Sequence, residues 1–242
     1  MIFYTIPRAF EGEFDKLQRM AIESWQGAIP DARVVLMGDE PGTEEAAHEL
    51  GCIYLSNLEC NAQGTPLIRS AFTQMGRYGQ DGLLCEISAD IVLGADLADV
   101  LPAIERIERP FVVGQRWDIE PGAAHETATL HPPCGVDYFI YRAGTLGSIP
   151  PFAVGRTAYD NWLIWAAMER WDLQVIDATE AITAIHVNHG YPAWDDGKQG
   201  LLSGMERQEN QRLFFESGAT RYYGINDAPW VMRRGGAIER RQ

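Results

Sequence analysis

The chain has 242 residues, 46% of them hydrophobic and 22% charged, enough apolar surface for a soluble globular domain with a sizeable core. A formal net charge of −14 argues against nucleic acid as the main partner, because a phosphate backbone needs clustered Lys and Arg. No stretch is long and apolar enough to span a bilayer, and the opening run at residues 1–8 is too short for a signal peptide. Cys52, Cys60, Cys85 and Cys134 are scattered without a CxxC pair, so they read as thiols in a reducing compartment; a cytoplasmic protein is expected.

Residues 1–6 are apolar and β-branched, a first strand that Pro7 ends. Phe10, Phe14, Leu17, Ala21 and Trp25 recur at helical spacing, so 10–27 is a predicted helix. Arg33–Met37 is a second strand, closed by the turn signal Gly38-Asp39-Glu40-Pro41-Gly42. A short helix opens at Thr43 and closes at Gly51, and Cys52–Leu55 is a third strand. Thr65 as cap and Pro66 as first helical residue predict a helix whose buried face carries Leu67, Ile68, Ala71, Phe72 and Met75. A central strand occupies Leu83–Gly94, and a helix follows over Asp96–Ile107.

This alternation predicts an α/β fold, a mixed and mostly parallel central sheet with helices on both faces. The second half is less regular. Strands are predicted at Phe111–Val113, Val136–Arg142, Gln174–Ile176 and Thr183–His186, with a helix at Asp160–Arg170. Residues 119–135 read as loop, and the polar stretch from Gly197 on reads as a wrap or frayed tail.

The central strand interrupts its apolar run with Ser88-Ala89-Asp90. An unpaired carboxylate inside protein is costly. Either the strand ends near Ser88 and Asp90 lies on an open rim, or Asp90 has a cationic partner such as an arginine or a metal ion. No GxGxxG follows the first strand, and neither a GxxxxGK[ST] loop nor a GxSxG elbow occurs, so dinucleotide, P-loop and serine-hydrolase chemistry are disfavoured.

Five phrases carry a resemblance: Thr-Ile-Pro-Arg at 5–8, Gly-Thr-Pro-Leu-Ile-Arg-Ser-Ala-Phe at 64–72, Ser-Ala-Asp-Ile-Val-Leu at 88–93, Gly-Arg-Thr-Ala-Tyr-Asp-Asn-Trp-Leu at 155–163, and Ala-Ile-His-Val-Asn-His-Gly-Tyr at 184–191. Together they resemble the small bacterial GT-A nucleotide-sugar glycosyltransferases over roughly residues 1–195. The triplet departs from the family's DXD motif, with Ser88 in place of the first carboxylate.

The resemblance implies a single GT-A-like domain over 1–242, with a nucleotide-binding half (1–108), an acceptor-side half (109–196) and a C-terminal wrap or tail (197–242). It implies transfer of a sugar from a nucleoside diphosphate sugar to an acceptor hydroxyl, such as one on a surface glycan. A Mn2+ or Mg2+ ion would be held by Asp90 and His186. Thr5, Pro7, Arg8, Asp39, Arg69, Ser88 and Ala89 would meet the nucleotide. Trp117, Arg156 and His189 would lie near the acceptor or the phosphates. Asp160 would be the catalytic base and Asp137 the second candidate for it.

Plain structural roles stand beside these: an Asx turn for Asp39, an ion pair with Arg116 or Arg142 for Asp137, and helix capping for Asp160. Two alternatives stay open, a non-catalytic nucleotide-sugar-binding module and a sugar nucleotidyltransferase. The latter is disfavoured by the glycine-poor loop at 7–12. Peripheral membrane contact and the oligomeric state are also left open.

Overall fold

Each apolar run of the first half becomes a strand, and each amphipathic run a helix laid against it. A computed structural model describes residues 1–80, 82–123, 125–189 and 204–242. The first half runs β1 (Ile2–Thr5), α1 (Gly12–Ala28), β2 (Arg33–Met37), α2 (Thr43–Glu49), β3 (Ile53–Leu55), α3 (Ile68–Tyr78), β4 (Leu83–Ile87), β5 (Ile91–Leu93) and α4 (Asp96–Glu105). The second runs β6 (Pro110–Val113), β7 (Trp117–Ile119), β8 (Thr129–Leu130), β9 (Tyr138–Arg142), α5 (Tyr159–Glu169), β10 (Gln174–Asp177), β11 (Ala184–Val187), α6 (Met205–Glu216), β12 (Trp230–Met232) and β13 (Ile238–Arg240).

Nine strands form the main sheet in the order β13-β12-β10-β6-β9-β4-β1-β2-β3. Strand β9 runs antiparallel to both β4 and β6, and β13 antiparallel to β12; the remaining pairs are parallel. The expected mixed, mostly parallel sheet is therefore present. One buried cluster packs Tyr4, Val35 and Leu84 against Ile68 and Phe72 of α3, Trp162 and Trp165 of α5, and Phe214 of α6. The other packs Phe3, Leu36 and Cys85 against Ala21, Ile22 and Trp25 of α1, Ala46 of α2, and Leu97 and Val100 of α4. Helices thus cover both faces, and the strands between them are mostly apolar because both of their faces are buried.

The stretch Leu83–Gly94 is not one strand. Ser88 N donates to the Asp137 carbonyl at 2.8 Å, and Ile91 N donates back to the Ser88 carbonyl at 3.1 Å, closing a four-residue turn. The chain leaves the main sheet there and enters a second sheet, ordered β5-β11-β7-β8. A cap at Thr65 with Pro66 as first helical residue also fails. Helix α3 starts at Ile68, and Pro66 and Leu67 form isolated bridges with Cys60 and Ala153. The Asn61 side chain accepts from the Gln63 and Thr65 amides, both at 2.9 Å, and so holds this segment as a turn. The fixed φ of proline suits an extended residue as well as a helix start, and here pairing wins.

The polar C-terminal stretch is built into the sheet. Helix α6 packs on α5, β12 pairs with β10, and Arg241 bonds Asp177 at 2.6 Å. Arg233 pairs with Glu180 and Glu239. Residues 197–203 of the expected tail lie outside the described residues. The four cysteines are free thiols. No helix among the described residues is long and apolar enough to cross a membrane.

Trp25 ties the two sheets together. Its ring is fully buried and stacks on Phe3, while its Nε1 donates to the Ile91 carbonyl at 2.7 Å, one residue past Asp90. Trp25→Phe keeps most of the volume but leaves that carbonyl unpaired, an expected loss of about 1–3 kcal/mol. Trp25→Ala adds a cavity and is expected to cost about 3–5 kcal/mol. Chemical denaturation of both variants checks the order, and a Trp25→Phe variant as stable as wild type would deny the hydrogen bond its role.

Candidate active site

Strands β1, β2 and β4 are parallel, so their C-terminal ends lie on one rim. The β1 end is fixed by Gln18 of α1, which is buried. Its Oε1 accepts from the Arg8 amide at 2.8 Å, and its Nε2 donates to the Arg8 carbonyl at 3.1 Å. The β4 end turns at Ser88–Ile91 and places Asp90, half-buried, just before β5. Strand β11 lies between β5 and β7, with His186 opposite Ile91 on one side and Asp118 on the other. Register alone therefore sets His186 beside the turn that carries Asp90, although 96 positions separate the two in sequence.

Three ligand atoms converge there. His189 Nε2 is 3.1 Å from Asp90 Oδ2, His186 Nε2 is 3.7 Å from the same oxygen, and the two Nε2 atoms are 3.2 Å apart. Asp90, His186 and His189 form a group able to hold a metal ion. In an octahedral site with bonds of about 2.1 Å, neighbouring ligand atoms are about 3.0 Å apart. Two of the three spacings match and the third is somewhat long. Two imidazoles and a carboxylate suit Mn2+ better than Mg2+, which prefers oxygen alone. Burial by itself would raise the Asp90 carboxyl, but hydrogen bonds and charge from His186 and His189 outweigh it and hold the group well below the ordinary carboxylate range. The His189 ring also packs edge-on against Phe14 of α1 at 4.9 Å, and the Arg8 guanidinium lies over the other partner of that contact, 5.0 Å from the Phe14 centroid.

A second group of carboxyls adjoins the first. Glu86, at the end of β4, is 6% exposed, and burial raises it to about 8, helped by the charges of Asp137 and Asp160. Burial likewise raises Asp160 to about 7, with a smaller contribution from Asp137. Asp160 lies in the first turn of α5, but it does not cap that helix. The cap position is Ala158, whose φ of +91° is a strained backbone for a residue with a Cβ. Asp160 Oδ1 is sealed from solvent without a hydrogen-bond partner. Asp137 is different. Both its oxygens accept from Arg116 Nη1 at 2.9 Å. Burial pushes Asp137 up, and the charge and hydrogen bonds of Arg116 work against that rise. The ion pair with Arg116 is one of the plain roles the sequence allowed, and it makes Asp137 the poorer base.

The other sequence candidates are spread over the rim and beyond it. Thr5 is buried at the end of β1, Pro7 is buried, and Asp39 is exposed just past β2. Ala89 is buried within the turn, and Trp117 is half-buried on β7. Arg69 is taken by a two-point ion pair with Glu59. Arg156 is held by Glu206 of α6, with Nε 2.9 Å from Oε2.

Sequence reasoning missed Glu86 and Asp118. The signal for Glu86 was present, since a carboxylate within Leu-Leu-Cys-Glu-Ile breaks an apolar run as Asp90 does. Asp118 gave less, because only strand pairing brings it to His186.

The neutral Glu86 carboxyl has a stability consequence. The fold favours its protonated form, so that contribution is complete below the ordinary value near 4.5 and is lost as pH rises through about 8. Glu86→Gln should raise the melting temperature relative to wild type at about pH 8.5 and change it little near about pH 5. Thermal melts across that range check this; parallel curves for the two proteins would contradict it.

No protein-family model matches the chain, and no curated protein matches it. Solved structures do. A Desulfovibrio desulfuricans protein described as a nucleotide-diphospho-sugar transferase aligns with a TM-score of 0.51 and 12% identity, covering 89% of this chain and 96% of its own. TarS of S. aureus (residues 1–349), solved with UDP, aligns with a TM-score of 0.56 and 16% identity over 91% of this chain and 67% of its own. Glucosyl-3-phosphoglycerate synthase from Mycobacterium tuberculosis, solved with Mg2+ and UDP, aligns with a TM-score of 0.53 and 16% identity over 91% of this chain and 80% of its own. The likeness is one of fold: this chain has the GT-A-like architecture of nucleotide-diphospho-sugar transferases.

Proposed function

We propose that the chain is a metal-dependent glycosyltransferase that moves one sugar from a nucleoside diphosphate sugar to an acceptor hydroxyl. The observation that carries this reading is the convergence of Asp90 Oδ2, His186 Nε2 and His189 Nε2 at the rim where β4 ends. Asp90, His186 and His189 would hold a divalent cation, which supplies Lewis-acid stabilisation of the charge left on the diphosphate. The glucosyl-3-phosphoglycerate synthase neighbour has also been solved with Mn2+, UDP and phosphoglyceric acid, and that supports a divalent ion with a uridine donor here. His189 thus joins the ligands rather than the phosphate or acceptor contacts.

The remaining roles belong to side chains of this chain. The Arg8 loop, clamped by Gln18, presents Thr5, Pro7 and Arg8 to the nucleotide from the end of β1. Ser88 offers a hydroxyl beside Asp90 in place of a second carboxylate. Asp160 accepts the proton of the acceptor hydroxyl as its oxygen bonds to the anomeric carbon and the bond to the diphosphate oxygen breaks. A carboxyl raised to about 7 suits that task, because a general base works best when its pKa lies near the working pH. A surface glycan is the acceptor class the sequence resemblance favours.

The reading is tested by incubating the protein with a panel of UDP-, GDP- and CDP-sugars and Mn2+, with and without acceptor sugars, and measuring release of the diphosphate. Turnover on one donor is expected, and Asp90→Ala should abolish it. Stabilisation by nucleotide and Mn2+ without turnover on any donor or acceptor would instead favour a binding module.

A further inference from the structure

Behind His186, on the side away from Asp90, stands a second carboxylate. Register pairs Asp118 of β7 with His186 of β11, and Asp118 Oδ1 is 3.3 Å from His186 Nδ1. That nitrogen is buried and lacks an aligned hydrogen bond. The ring torsion of histidine is soft, so a small rotation brings the pair into line. Asp118 is itself held from two further sides. Arg116 Nε donates to Oδ1 at 2.8 Å, and His131 Nδ1 lies 2.6 Å from Oδ2. The same Arg116 binds both oxygens of Asp137 through Nη1. One guanidinium therefore spans the carboxylate behind His186 and the carboxylate beside Asp160 and Glu86.

We infer that Asp118 is a positioning residue that fixes the tautomer and orientation of His186. Accepting from Nδ1–H keeps that proton in place and leaves Nε2, which faces Asp90 Oδ2 and His189 Nε2, as the nitrogen that gives up its proton to ligate a cation. Arg116 and His131 hold the carboxylate in place for this. Nothing in the local sequence of Asp118 marks it for the task, and two of its partners come from afar, His186 on β11 and His131 just past β8, while Arg116 precedes its own strand. Outer carboxylates of this kind orient metal-ligating histidines, and their loss commonly costs about 10- to 100-fold in metal affinity. The inference rests on the proposed metal reading only for its effect on affinity; the tautomer of His186 is a property of the chain itself.

Two measurements on the full chain separate the claims. Heteronuclear NMR of 15N-labelled histidine, without added metal, should find the Nδ1–H form of His186 in wild type and a loss of that preference in Asp118→Ala. Calorimetric titration with Mn2+ should find affinity lowered by about 10- to 100-fold in Asp118→Ala and partly recovered in Asp118→Asn, whose amide oxygen can still accept. If Asp118→Ala keeps both the tautomer and the Mn2+ affinity and loses only melting temperature, Asp118 is merely structural and the inference is overturned. If wild type shows the Nδ1–H form but binds no Mn2+, the metal reading fails, and with it the claimed effect on affinity. If wild type binds Mn2+ with His186 in the other tautomer, only the positioning role falls.

Discussion

Replacing Asp160 by Asn is expected to lower kcat by about 10²- to 10⁴-fold while leaving the donor KM nearly unchanged. The substitution keeps the shape of the side chain at the first turn of α5 and removes only its capacity to take a proton. The pH profile gives a second reading of the same group. Burial raises Asp160 to about 7, so in wild type kcat/KM should climb as pH rises through that value, because the ionised form is the base. The slope should vanish in the Asp160→Asn variant's residual activity. A helix-capping role would give another pattern, a fall in stability with kcat intact. That pattern is not expected, since Ala158 and not Asp160 occupies the cap position.

The second large effect belongs to the imidazoles. His186→Ala should weaken Mn2+ binding by more than the roughly 100-fold ceiling usual for an outer partner, because it removes a ligand outright. His189→Ala should do so too, although sequence alone placed that residue with the phosphates or acceptor. Each variant should also lose stability, since the His186 and His189 side chains are only 6% and 1% exposed and both lose packing as well as a ligand. Calorimetry with Mn2+ and a melt of each variant separate the two contributions. Unchanged Mn2+ affinity in His189→Ala would return that residue to its sequence-based role.

Strands β1, β2 and β4 were legible because burial on both faces leaves a mostly apolar run, and α1 and α4 because their apolar spacing is helical. The break at Ser88–Asp90 was legible as chemistry, since a carboxylate in such a run needs a rim or a partner, and it has both. Strands β12 and β13 were not legible. Each has three residues, and each exists because a neighbouring edge was there to pair with. The misread at Thr65–Pro66 has the same cause: local preference for a helix start yielded to bridges with Cys60 and Ala153. For the candidate site, residue type and family phrases named Asp90, His186 and Asp160, and the fold brings Asp90 and His186 together. They could not tell which arginines were free to meet a phosphate. Arg69 and Arg116 are bound by carboxylates whose proximity only the fold creates.

The most direct trial of this account is a crystal structure of the chain soaked with UDP and Mn2+, with anomalous data collected for manganese. One strong manganese peak is expected, bonded to Asp90 Oδ2, His186 Nε2 and His189 Nε2, with the diphosphate on its open side. A diphosphate bound at the β1 rim with manganese elsewhere, or with none beside those three side chains, would contradict it.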